Sequence, residues 1–405
     1  MKTNLLVLYV LLIFGTGLSA QNFGPDTKIS LITIGPGHDL YSKFGHSAIR
    51  LSDPSQGLDL SYNYGTFDFD APNFYGKFVR GKLDYILSVD KTFPLLRYYQ
   101  RTGREVVEQD LLLSPEEVQE VAAFLIENYK PENRTYKYDF FYDNCATRLR
   151  DIIELSTESR LSYKITENSD RVYRDLLIEK LESVPLVLLG INLILGPNTD
   201  QPADFRGAMF LPAYLMDNLD AFAKDVQGKS IVGPKKLVFP ERLEFSEASF
   251  YRQPAFYALL LLVLSFVLHR SGKLPMLQKG LTIGLFSLSG VSGLLFLFMW
   301  FFTNHQTTYM NLNLFWANPL SFIFLMNWKG KQLKFPILLN IQKALLLMGL
   351  LVLVALPILQ ELTGRAFLGS LPLPKHFPYQ LFLFAIMAML WIQYAKFTTE
   401  RERFR

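Results

Sequence analysis

The stretch Tyr138-Asp139-Phe140-Phe141-Tyr142-Asp143-Asn144-Cys145-Ala146-Thr147-Arg148-Leu149-Arg150-Asp151 decides how this sequence is read, because it holds the only cysteine of a 405-residue chain. An aromatic run leads into the cysteine. Behind it Ala146, Leu149, Ile152 and Ile153 recur at spacings of three and four, which predicts a helix with one apolar face. Asn144 suits the N-cap. Cys145 then falls in the first helical turn, among unpaired N–H groups at the positive end of the helix dipole. A free thiol ionises near ~8.5, and such a setting lowers the value by about a unit or more. The alternative is a buried, inert cysteine.

The surroundings favour chemistry. The chain is 50% hydrophobic and 14% aromatic, with only 19% charged residues, a composition that implies a membrane part. A net charge of +4 is too small to indicate a nucleic-acid partner. Residues 1–20 read as a secretory signal peptide: Lys2 is the charged start, Leu5 to Phe14 the apolar run, and Leu18-Ser19-Ala20 the small-residue exit. The alternative is an uncleaved anchor. Either way the following segment is exported, and a single cysteine there forbids an internal disulfide.

Residues 21–250 are polar enough to face water. Strands are predicted at Lys28 to Ile34, Phe44 to Leu51, Leu58 to Phe69, Lys82 to Val89 and Glu105 to Leu113. Ser114-Pro115-Glu116-Glu117 is a capping box with proline at the first helical position, and Val118, Val121, Ala122 and Leu125 form that helix's apolar face. A further helix is expected around Tyr173 to Leu181. These elements make an α+β class with an antiparallel sheet. Val184 to Leu195 is strongly apolar but too short to span a bilayer. It reads as a buried helix, or as a segment dipping into the membrane interface.

Residues 251–405 change character. Five spans are expected, at about 254–270, 280–302, 312–328, 338–360 and 378–397, the third interrupted by Asn318-Pro319. Arg270, Lys273 and Lys279 fill the first loop, Lys329, Lys331 and Lys334 the third, and Lys396, Arg401, Arg403 and Arg405 the tail. The second loop has no Lys or Arg, and the fourth has only Arg365 and Lys375. The positive-inside rule puts loops one and three and the C-terminus in the cytoplasm. The domain at 21–250 is then periplasmic, as the signal peptide requires on its own.

A cysteine nucleophile needs a base and a group that orients the base. Of five histidines, His269, His305 and His376 lie in the membrane part. His46 sits on a predicted strand, with Gly45 before it allowing close backbone approach. His38 sits in a glycine-rich turn. On the next strand Asn63 can hold the second imidazole nitrogen, with Tyr62 and Tyr64 as rivals facing the other side. Asp139 and Asp143 are read as structural. Backbone N–H groups around Asn144, Cys145 and Ala146 are candidates for an oxyanion hole. One Cys and two His make no zinc pattern, and no nucleotide or dinucleotide motif occurs, so no cofactor and no metal are expected. His305, Asn311, Asn313 and Asn318, near span ends, read either as lipid head-group contacts or as ordinary hydrated polar groups.

The runs GPG…LYSKFGHSAIRL, YNYGTFDF…PNFYGKFVRGKLDYIL, YKYDFFYDNCATRLRDII and FLPAYL resemble the bacterial family with an Lnb N-terminal periplasmic domain, over about residues 25–250. The later spans, with NLNLFWANPL, look like the membrane part of full-length members. The resemblance implies a permuted NlpC/papain-like fold followed by a five-helix membrane domain in the inner membrane. It also implies lipoprotein N-acylation: an acyl chain passes from a phospholipid donor to the amine of a diacylglyceryl-cysteine lipoprotein acceptor, with Cys145 as nucleophile and His46 as base. Three other readings use the same chain: a papain-like peptidase or amidase acting on peptidoglycan, a phospholipase, and a non-catalytic membrane scaffold.

Overall fold

The computed structural model describes residues 23–68, 70–163, 171–246, 248–328, 335–363 and 377–402. The expected signal peptide, the loops at 329–334 and 364–376 with His376, and the last three residues of the tail lie outside them.

The first half is built on one sheet. Its strands are β1 (Lys28–Ile34), β2 (His46–Asp53), β3 (Leu58–Thr66), β4 (Asp84–Lys91), β5 (Val106–Asp110), β6 (Thr135–Lys137) and, after the short pair β7 (Leu161–Tyr163) and β8 (Ala223–Asp225), β9 (Lys236–Phe239). The order across the sheet is β6-β4-β3-β2-β1-β5-β9, and every neighbouring pair is antiparallel. Alternation sends odd and even residues to opposite faces. On one face Ile29, Leu31, Ile49, Leu51, Tyr62 and Tyr64 pack beneath helices at Pro115–Tyr129, Cys145–Ser156 and Pro212–Phe222. On the other, Ile32, Ile34, Ala48 and Val106 meet Tyr99 of the helix Thr92–Arg101.

The predicted helix faces are the buried ones. Val118, Val121, Ala122 and Leu125 are buried, as are Ala146, Leu149, Ile152 and Ile153. Ser114 and Glu117 make the reciprocal capping box. Strand ends differ from expectation where glycine intervenes. Gly45 has φ +81° and a Cβ there would lie 2.7 Å from the Ile34 carbonyl oxygen, so β2 starts at His46 rather than Phe44. Gly65 has φ +88° within a register shift between Asn63 and Thr66, and β3 ends at Thr66 rather than Phe69.

The second half is helical: Pro254–Ser271, Pro275–Phe301, Leu320–Trp328, Pro336–Thr363 and Phe377–Glu402. The first two are long and apolar enough to cross a membrane. The expected third span is broken at Asn318-Pro319, as its sequence suggested, and is helical over less of its length than expected: its first part is a 3-10 turn at Leu312–Phe315, and an α-helix begins only beyond Pro319. Pro319 lacks the N–H that a continuous helix would need.

Val184 to Leu195 forms a helix, Pro185–Ile194, that is not fully buried: Leu188 is covered and Leu186 is exposed. Leu189, Leu193 and Ile194 pack on the core of the helical half, while Leu188 and Ile191 pack on the sheet-bearing half. Its last carbonyls are capped from the helical half. Asn311 Nδ2 donates to the carbonyls of Leu193 at 2.7 Å and Ile194 at 3.0 Å, and Asn313 Nδ2 donates to Leu193 at 3.0 Å. His305 Nε2 lies 3.2 Å and 3.1 Å from the carbonyl oxygens of Phe78 and Val79. Asn318 Nδ2 turns back to Leu314 O at 3.3 Å. Each of these four side chains meets at least one backbone carbonyl, which favours a structural role for them over head-group contact.

One buried ion pair secures the junction. Arg174 and Asp200 meet at 2.7 Å with side chains 4% and 8% exposed, and Arg174 Nη2 also donates to the Gly196 carbonyl at 3.1 Å. Removing one partner leaves a buried charge unmatched. Arg174→Ala is expected to destabilise the protein by about 3–5 kcal/mol, read as a lowered midpoint in scanning calorimetry; an unchanged midpoint would contradict this.

Candidate active site

Asn144 begins the cysteine helix with its side chain. Its Oδ1 accepts from the N–H groups of Ala146 at 2.8 Å and Thr147 at 2.9 Å, and its own N–H donates to Thr147 Oγ1 at 2.7 Å. Its Nδ2 donates to the carbonyls of Phe140 at 2.7 Å and Phe210 at 2.9 Å. Cys145 is thereby held as the first helical residue, 9% exposed. The flanking aspartates are structural, as expected. Asp139 Oδ1 accepts from the N–H groups of Phe141 and Tyr142, and Asp143 pairs with Arg148.

The β2–β3 ladder stops at the Ile49–Tyr62 pair. Beyond it the strands part, and Cys145 sits over the opening: a Cβ on Gly65 would lie 3.8 Å from Cys145 Cβ. From the β2 side the N–H of Ser47 points at the sulfur, joined by those of Ala146 and Cys145 itself. Ser47 directly follows His46. The Ala146 N–H is therefore shared with Asn144 Oδ1, and the Asn144 N–H is already committed. The donors left to the sulfur's surroundings are those of Cys145 and Ser47, and sequence reading missed the second.

His46 Nε2 lies 3.2 Å from Asn63 Oδ1. The amide is fixed by its other end, since Asn63 Nδ2 donates to Asp90 Oδ2 at 3.1 Å and to the Ser61 carbonyl at 3.2 Å. Only an oxygen then faces the ring, and an oxygen only accepts. The imidazole proton therefore resides on Nε2, and Nδ1 carries the free lone pair. Tyr62 and Tyr64 point to the opposite face, where Tyr64 Oη donates to Asn128 at 2.6 Å. His38 is exposed, with its ring 5.4 Å from that of Phe245.

Three further side chains gather here. Asp90 orients Asn63. Tyr136 Oη is buried without a partner, 3.9 Å from where a Gly65 Cβ would stand. Arg104 is 8% exposed; its Nε donates to the Gly35 carbonyl at 2.9 Å, its guanidinium lies 5.1 Å over the Tyr99 ring, and its Nη2 has no partner. No motif marks these residues. The one sequence signal is the alternation Tyr136, Tyr138 just ahead of the cysteine.

Burial pushes the Cys145 thiol up from 9.0, and the three N–H groups and the Arg104 charge only moderate this. The expected lowering of the thiol is thus overturned: loss of water outweighs the helix terminus. Burial also pulls His46 down to about 4; the Asn63 bond opposes this and Arg104 adds to it. At neutral pH thiol and imidazole are both uncharged.

Two family profiles match the chain: the Lnb N-terminal periplasmic domain over residues 20–178 and the Lnb transmembrane domain over residues 246–399. The chain belongs to the Lnb-type family. It is a membrane-anchored protein with a periplasmic N-terminal domain, and its family points to a membrane enzyme that modifies lipoproteins. No curated protein and no solved structure matches it.

The uncharged resting pair sets an expected outcome. The rate of Cys145 alkylation by iodoacetamide should climb through and beyond about pH 9, with no plateau between about pH 5 and pH 8. A plateau there would mean a standing thiolate–imidazolium pair.

Proposed function

We propose that this protein is a thiol-dependent N-acyltransferase of the inner membrane. It would move an acyl chain from a phospholipid, through a Cys145 thioester, to the N-terminal amine of a diacylglyceryl-cysteine lipoprotein. The observation that carries the reading is an oriented imidazole, His46 held by Asn63 and Asn63 by Asp90, whose chain neighbour Ser47 turns its N–H to the Cys145 sulfur. We read the frame as a periplasmic domain of residues 21–250 with a permuted NlpC/papain-like arrangement, on five membrane spans over residues 251–405.

In the first half-reaction His46 Nδ1 takes the thiol proton as sulfur attacks the ester carbonyl. The carbonyl oxygen enters the hollow that Gly65 leaves, towards the N–H groups of Cys145 and Ser47 and the hydroxyl of Tyr136. Collapse breaks the ester C–O bond; the imidazolium returns its proton to the departing glycerol oxygen, and a lysophospholipid leaves. In the second half-reaction the lipoprotein's neutral amine attacks the thioester and passes a proton to His46. The C–S bond breaks, sulfur takes the proton back, and an amide remains. Arg104 supplies positive charge when sulfur and oxygen carry negative charge. It also discourages a resting imidazolium, which keeps the base free.

A reporter lipoprotein from cells whose own N-acylating enzyme is replaced by this protein should gain one acyl mass on its N-terminal peptide. With Cys145→Ser it should gain none. Cleavage of phospholipid or peptidoglycan without that mass gain would leave a hydrolase in place of a transferase. Tyr136→Phe should lower kcat by about 10²–10³, as for loss of one oxyanion donor, with folding intact by calorimetry. An unchanged kcat would remove Tyr136 from the mechanism.

The base must be neutral to work, so activity is lost as pH falls through the His46 value. Because that value is about 4 rather than 6.5, kcat/KM for the phospholipid donor, which reports only the first half-reaction and not the acceptor amine, should hold from neutrality to about pH 5 and fall below it. A midpoint near the ordinary histidine value would contradict the buried-base geometry.

A further inference from the structure

The helix Phe74–Val79 is tied to the outer end of the transmembrane part. His305 Nε2 meets the carbonyls of Phe78 and Val79, and the Asn304 N–H donates to the Arg80 carbonyl at 2.9 Å. Gly81, at φ +63°, lets the His305 ring approach to 3.3 Å of where a Cβ would be. His305 closely follows the long apolar helix Pro275–Phe301, whose end exposes Phe301 and Phe302. The short helix is therefore at the level where that membrane helix ends. There it exposes Tyr75, Phe78 and Val79, at 77%, 50% and 43%. A soluble surface has little reason to present three such side chains in one helical turn and a half.

From this helix a chain of ring contacts runs to the thiol. Phe78 lies parallel to Phe74 at 6.2 Å, Phe74 meets Phe67 at 5.8 Å, Phe67 meets Tyr85 edge-on at 5.4 Å, and Tyr85 stacks on Tyr138 at 4.4 Å. The Tyr138 ring then reaches 3.5 Å from where a Gly65 Cβ would stand, beside Cys145. Phe67, Tyr85 and Tyr138 are each half-buried, and Phe74 between Phe67 and Phe78 is buried.

We propose that Phe78, Phe74, Phe67, Tyr85 and Tyr138 form the binding track for the donor's acyl chain. The inference rests on the acyltransferase reading and adds the site of its lipid. The carbonyl end lies at Cys145 and the methyl end trails back towards the bilayer beside Tyr75 and Phe78. An extended hydrocarbon chain matches such a path because aromatic faces offer dispersion and burial without a polar partner. The same rings cover the thioester after the lysophospholipid leaves. The continuity of the path fixes its occupant. One end is the reacting sulfur and the other is the membrane, and a free peptide would have no use for the second.

The test uses the full-length protein in nanodiscs. The acyl-Cys145 intermediate is followed by intact mass with dihexanoyl and with dipalmitoyl phosphatidylethanolamine. In Phe67→Gln and Phe78→Gln the preference for the long chain over the short one should collapse by about tenfold or more. A lesion in folding lowers both rates alike, so an unchanged ratio overturns the track whatever the absolute rates. The second arm needs no turnover. A phospholipid with a diazirine along its acyl chain is photolysed with Cys145→Ser protein, and the cross-links are mapped. Labels within residues 67–85 and at Tyr138 are expected. Labels confined to the transmembrane helices overturn the track. A wild type that forms no acyl-enzyme while the cross-links fall on the track would sink the transferase reading and leave the lipid site.

Discussion

The active site depends on the side chain of Asn144. It is 3% exposed and makes hydrogen bonds with both of its ends. One end caps the cysteine helix at Ala146 and Thr147; the other holds the carbonyls of Phe140 and Phe210. A serine or aspartate could cap the helix, but neither offers two donors to carbonyls on the far side. The helix start, the aromatic approach and the segment before Pro212 are thus fixed by one amide. The position of the sulfur over the parted strands follows from that.

Parting the strands has an electrostatic consequence. The sulfur gains N–H groups from two elements, the helix and the start of β2, and both favour a thiolate. Burial opposes them and wins, so Cys145 rests as a thiol. The same burial keeps His46 a free base. An enzyme that stores an acyl chain as a thioester gains from this. The dry setting that raises the thiol would also keep water from the proposed intermediate. On the proposed mechanism, negative charge would appear only once substrate is in place, when the Tyr136 hydroxyl and Arg104 have something to meet.

Much of this was legible in the sequence, for identifiable reasons. Period-3.6 patterns mark the helices at Pro115–Tyr129 and Cys145–Ser156, because each has one face on the core, whereas β1 is buried on both faces and was legible from its apolar run closed by a Gly-Pro-Gly turn. The cap and the Asn63–His46 relation were readable because alternation fixes which residues share a face. Strand ends were misread at Gly45 and Gly65, where positive φ breaks the pattern without changing the apolar content. Arg104, Asp90 and the Ser47 N–H left no trace, since their roles arise from strands distant in sequence. The thiol's direction was misjudged because a helix terminus can be seen in a sequence and desolvation cannot.

The polar residues of the helical half explain how the sheet-bearing half is fixed to the membrane part. The loop after the helix Pro275–Phe301 grips the sheet-bearing half at two separate places. One is the carbonyl pair of Phe78 and Val79. The other is the end of the helix Pro185–Ile194, where Gly196 N–H also donates to the Thr307 carbonyl at 2.7 Å and a Cβ on Gly196 would collide with the Tyr309 carbonyl at 1.9 Å. Two attachments alone leave a rotation about the line between them. That rotation is blocked because Leu189, Leu193 and Ile194 are packed into the helical core. The catalytic half is therefore held at one height and one orientation above the membrane helices. On the proposed mechanism, a thiol presented that way could meet an ester that never leaves the bilayer.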